Sequence, residues 1–219
     1  FIDKAEELAD IHRSYELDPL SVQVVRLEEV YNEFSSGMRD VTAIKWFMKM
    51  LYDRADGNEA LMTRYLLLFG DGSYDNKNFT PGNTNLIPTY QSANSLAPTN
   101  SYVTDDYFAF LSDEDGEGRN DLMDVAVGRI VAKNLQEATS VVNKVKRYVE
   151  IEPQDFSDDC TVCGDNTTNF GAWRNSIALV ADDGDGNTHM NQSRQLSNQI
   201  ESYTRDYNLE RIFLDAFPQ

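Results

Sequence analysis

Apolar and polar positions follow two rhythms along the chain. Residues 1–17 place apolar side chains at helical spacing among many charges, which predicts a helix. Residues 20–34 hold Val22, Val24, Val25 and Val30 and stop at Ser35-Ser36-Gly37; their β-branched content predicts a strand and a turn. Asp40 stands where a helix cap belongs, and Ile44, Phe47, Met48 and Leu51 then form one apolar stripe at i, i+3, i+4 and i+7. The unbroken run Tyr65-Leu66-Leu67-Leu68-Phe69 ends in Gly70-Asp71-Gly72 and predicts a strand buried on both faces. Residues 73–100 are polar and carry Pro81, Pro88 and Pro98, a stretch too long for a simple turn and suited to a functional or covering loop.

A second short strand is predicted at Val125-Ala126-Val127, closed by Gly128-Arg129. An amphipathic helix follows, with Leu135, Ala138, Val142, Val145 and Val149 on one face. Residues 177–181 read as another buried strand, ending in Asp182-Asp183-Gly184-Asp185-Gly186-Asn187. Leu196, Ile200, Tyr203 and Tyr207 mark its return helix, and Ile212-Phe213-Leu214, ending in Asp215, is the last strand.

Strand–helix alternation of this kind predicts an α/β fold, a mainly parallel sheet flanked by helices. Residues 1–150 read as a first sub-domain, 151–172 as a linking loop and 173–219 as the start of a second. In such sheets ligands bind beyond the carboxyl ends of the strands. Asp71, Asp182 and Asp215 each follow a predicted strand there. They line a carboxylate-rich cleft or are ordinary turn residues.

Charge narrows the partners. The 219 residues carry 19 Lys and Arg against 37 Asp and Glu, a formal net charge of −18. That disfavours nucleic acid and an anionic membrane surface, both of which need a basic footprint. No apolar run reaches the roughly 18–20 residues that span a bilayer. With 41% hydrophobic residues the chain still buries a core. A start at Phe1 and an end at Gln219, directly after an apolar stretch, point to a piece of a longer polypeptide.

Several candidates for chemistry are acidic loops. Counted from Asp113, acidic residues fill positions one, three, five, nine and twelve (Asp113, Asp115, Glu117, Asp121, Asp124), with Gly118 at six. That approaches the twelve-residue calcium loop, in which hard oxygens wrap one ion about a glycine turn. Position twelve is Asp rather than Glu and the flanks read as strand, so the expectation is a calcium-binding hairpin loop rather than an EF-hand. The alternative is a solvated acidic tip. Asp183-x-Asp185-x-Asn187, beside Asp182, offers either calcium ligands or carboxylates facing a cationic substrate group, and Asp71-x-Ser73-x-Asp75 is a weaker third case. Cys160 and Cys163 form a CxxC, but the only histidines are His12 and His189, too few for a four-ligand zinc site. The pair reads as loop cysteines without a catalytic role. GxSxG, HExxH, P-loop and GxGxxG motifs are absent, and no complete nucleophile–base–orienter set is visible.

Several stretches together resemble the gingipain-type cysteine peptidases and, among them, the sortases of the type IX secretion system. They are Val30-Tyr31-Asn32-Glu33-Phe34-Ser35-Ser36-Gly37, the helix through Trp46-Phe47, Leu66-Leu67-Leu68-Phe69-Gly70-Asp71-Gly72-Ser73-Tyr74-Asp75, Thr104-Asp105-Asp106-Tyr107-Phe108, Asp124-Val125-Ala126-Val127-Gly128-Arg129, Trp173-Arg174-Asn175 and Val180-Ala181-Asp182-Asp183-Gly184-Asp185-Gly186. The resemblance implies a caspase-like α/β fold of two sub-domains, bound structural calcium, a protein or peptide substrate and an exported, cell-surface or outer-membrane location. It also implies a Cys–His dyad whose positions follow the segment matching residues 212–215, beyond Gln219. His189, Cys160 and Cys163 do not match those positions. The chain is therefore expected to be the N-terminal part of a cysteine endopeptidase, inactive alone. In arginine-specific members an acidic residue of the loop occupied here by Asp182, Asp183 and Asp185 lines the specificity pocket, which makes these three the expected substrate contacts. The competing expectation is a non-catalytic, calcium-binding interaction or assembly module with the same fold.

Overall fold

The computed structural model describes residues 1–77, 79–93, 96–97, 100–113, 121–149 and 172–216. The chain divides into two compact units, Phe1–Val149 and Glu150–Gln219.

The first unit opens with three helices, α1 (Ile2–Arg13), α2 (Leu27–Phe34) and α3 (Val41–Ala55). The strand expected over 20–34 is not formed. Leu27, Val30, Tyr31 and Phe34 recur at i, i+3, i+4 and i+7, and this period, rather than the valines before it, decides the conformation. Val30 and Tyr31 are buried against Ala43 of α3. Residues 20–26 form neither helix nor ladder, and Arg13 donates from Nε and Nη2 to the carbonyl of Val22 (3.1 and 2.7 Å).

Helix α3 forms as its stripe dictates. The Asp40 carboxylate accepts from the Thr42 amide at 2.8 Å and caps the helix. Ile44 and Met48 are buried, and Asp56 ends it in the left-handed region at φ 46°. Strand β1 (Tyr65–Phe69) follows. Two short strands, β2 (Tyr90–Gln91) and β3 (Val103–Thr104), pair antiparallel, and a 3₁₀ turn spans Asp106–Ala109. Strand β4 (Ala126–Ile130) then pairs parallel with β1, from Tyr65↔Ala126 to Phe69↔Ile130. Helix α4 (Leu135–Val149) buries Ala138 and Val142 and packs against α1, where Leu8 and Ala9 are buried.

The core lies on one face of this ladder. Leu68, Ile44 and Phe108 form one buried cluster, and Met48, Ala109, Leu111 and Val125 form another, with Leu66 packed on both. Each of these side chains other than Ala109 contributes about 1.5–3 kcal/mol when fully buried. The expectation that β1 is buried on both faces fails here, because Tyr65 and Leu67 are 58% and 47% exposed. A five-residue apolar run looks the same whether one or both faces are covered.

Among its described residues the second unit holds one strand–helix–strand unit. Strand β5 (Ser176–Ala181) pairs parallel with β6 (Asn208–Phe213), and α5 (Gly184–Tyr203) connects them. Tyr207, expected on the helix, precedes β6, and that strand begins four residues before Ile212. Arg211 on β6 donates to Ser197 Oγ (2.7 Å) and to Glu201 Oε1 (2.5 Å) of α5, and the Arg194 guanidinium lies 5.7 Å from the Phe213 ring. These contacts fasten the helix to its sheet.

Candidate functional site

The carboxyl ends of β1 and β4 are closed by the long loop that follows β1. Asp71 is buried, and its Oδ2 accepts from Thr84 Oγ1 at 2.6 Å, while its carbonyl accepts the amides of Leu86 and Ile87. Asp75 is buried as well. The Thr80 amide at 2.6 Å is the main cause that holds its carboxyl below the usual range. Asn83 and Asn85 donate to its carbonyl (3.0 and 3.4 Å). The loop's own donors thus engage both aspartates of the Asp71-x-Ser73-x-Asp75 pattern.

Arg129, to which the sequence assigns no role beyond closing a strand, organises this end of the sheet. Arg129 on β4 forks onto Asp105, Nε to Oδ2 and Nη2 to Oδ1, both at 2.7 Å. Its Nη1 donates to the carbonyls of Gly70 (3.0 Å) and Ile87 (2.8 Å), and Nη2 also to that of Pro88 (3.2 Å). All five contacts are charge-assisted, and the Arg129 side chain is only 9% exposed. Gly72 lies against the same guanidinium. A Cβ there would stand 2.6 Å from Thr89 Cγ2 and 2.9 Å from both Arg129 Nη1 and the Ile87 carbonyl. The available signal is a Gly-Arg pair at a strand end.

The start of the acidic segment, Asp113, is tied to α3. Lys49 donates to Asp113 (2.7 Å), Asp53 (3.0 Å) and the Leu111 carbonyl (3.0 Å), and the two carboxylates, Asp113 first, push its pKa up. Asp124 Oδ2 accepts the amides of Leu111 (2.7 Å) and Ser112 (3.1 Å), which brings the two ends of the acidic segment together. Asp121 is half-buried, and Asp115 and Glu117 lie outside the described residues, as do Cys160 and Cys163. Among the described residues no three His, Cys, Asp or Glu side chains converge as a metal-binding group.

In the second unit a shallow groove of about 400 Å³ opens at the carboxyl end of β5. Asp182, His189, Gln192 and Ser193 supply its polar groups, and Val180 and Leu196 its apolar walls. The turn into α5 shapes it. Asp185, Gly186 and Asn187 take left-handed φ values of 49°, 65° and 64° in succession. A non-glycine residue there costs about 1–2 kcal/mol, and Asp and Asn bear it best. The Asp185 carbonyl accepts from Thr188 Oγ1 at 2.6 Å, and its Oδ2 lies 3.7 Å from His189 Nε2. Of the three loop aspartates expected to meet substrate, Asp182 lines the groove, Asp185 stands beside His189, and Asp183 is half-buried at the start of the helix. A carboxylate, neutral donors and two aliphatic walls suit a ligand with an apolar stem and a cationic tip.

Comparison with known proteins places this geometry in context. The model of peptidase family C25 matches residues 1–219. Among solved structures, the chain is similar to the dimeric latent PorU from Porphyromonas gingivalis, seen in its crystal structure. The identity is 38% and the TM-score 0.57, over 67% of this chain. The matched part is 14% of that protein's chain, so the chain corresponds to a small share of its relative. No curated protein sequence matches.

Proposed function

The chain belongs to peptidase family C25, the gingipain family, with a caspase-like α/β fold, and from that premise we propose that it is the N-terminal part of an exported, cell-surface cysteine endopeptidase of the type IX secretion sortase kind. Its role is to build the fold and one wall of the substrate cleft. The observation that carries this reading is the Asp182 carboxylate in a groove at the carboxyl end of β5, the end at which open α/β sheets bind ligands. Asp182 takes the cationic side chain of a peptide, and Asp183 and Asp185 add negative potential around it. The Cys–His dyad of the reaction belongs to chain that follows Gln219, so the 219 residues alone bind peptide without cleaving it.

The test pairs binding with turnover. The wild-type chain binds arginine-containing peptides and Asp182→Asn weakens that binding about tenfold, the loss of roughly 1.4 kcal/mol expected for a charge-assisted contact. Neither protein hydrolyses the peptides. Unchanged binding in Asp182→Asn removes the groove from the cleft, and thiol-dependent cleavage by the chain removes the assignment of the dyad.

Structural calcium at the 113–124 loop is the second part of the proposal. The hard carboxylate oxygens of Asp113, Asp115, Glu117, Asp121 and Asp124 are the donor type that calcium takes. Asp113 is the member whose engagement competes with Lys49, and Asp124 keeps its Oδ2 on the Leu111 and Ser112 amides.

A further inference from the structure

We draw no further inference here: the strongest candidate, the face of the β5–β6 ladder on which the register partners Val180 and Ile212 stand exposed, carries nothing because nothing in the structure shows what covers it.

Discussion

Replacing Arg129 with methionine tests how the first unit holds its long loop. Methionine keeps an unbranched apolar stem but removes five donated hydrogen bonds. Asp105 would then keep a carboxylate, 20% exposed, without its partner. Removing one member of a buried ion pair costs about 3–5 kcal/mol, because the charge left behind is uncompensated. At about 2–4 °C per kcal/mol for a chain of this size, Tm should fall by about 6–20 °C. The loss should be local as well as global. The amides of Leu86 and Ile87 donate to the Asp71 carbonyl, and the Ile87 and Pro88 carbonyls are held by the guanidinium, so hydrogen exchange at these amides should accelerate in Arg129→Met. Replacing Asp105 with leucine in the same protein should recover part of the loss, since an apolar pair can stand in for a buried ionic one. A Tm within about 2 °C of wild type, together with unchanged protection of Leu86 and Ile87, would refute the reasoning. So would a double variant whose loss equals the sum of the single losses, since contacting residues should couple.

Three further outcomes follow from the same geometry. Gly72→Ala should cost about 1–3 kcal/mol by overpacking Thr89 and Arg129, read as a fall in denaturant midpoint; an unchanged midpoint would show that the loop yields freely. The Asp75 carboxyl is held below its ordinary value of 3.8, so its stabilising effect is present above about pH 4 and lost as pH falls through the depressed value. Asp75→Asn should therefore be less stable than wild type at neutral pH, with the gap closing in acid, and a gap that stays constant across that window would contradict the assignment. Calcium at 100 times its dissociation constant should add about 2.7 kcal/mol to the folded chain. A chelator should remove that gain, Lys49→Met should tighten calcium binding by freeing Asp113, and a melting temperature indifferent to both ion and chelator would end the calcium proposal.

What the sequence disclosed depended on how far each signal reached. The stripe of α3 and its Asp40 cap are local, and the structure forms both as read. The βαβ alternation is likewise visible in the order of apolar runs. Helix α2 was misread because four valines outweighed a helical period that starts only at Leu27; β-propensity describes fit to a half-buried pleat, and residues 20–26 have no ladder to join. The exposed face of β1 was illegible because coverage depends on which elements arrive from elsewhere in the chain. Arg129 was illegible for the same reason, since its partners lie 24 to 59 residues away in sequence. Asp182 was legible as a residue after a strand, but its separation from Asp183 and Asp185 was not. Asp185 also opens a run of three left-handed residues, a conformation no spacing rule announces.

The motifs that carried the resemblance now divide by purpose. Gly70-Asp71-Gly72, Thr104-Asp105 and Gly128-Arg129 are far apart in the chain, yet they meet at one guanidinium and are spent on closing the end of a sheet. A segment rich in such residues identifies a fold with high specificity while carrying little of the reaction. The Asp182–Asn187 loop is different. It holds strained backbone, leaves a carboxylate exposed beside a groove, and buries none of residues 182–187. Strain without a packing return is the usual mark of a position kept for binding. If so, substitutions around Arg129 should change stability while leaving peptide affinity per folded molecule intact, and Asp182→Asn should do the reverse. Measuring both quantities on both variants separates the two purposes, and a common loss of affinity would refute the division.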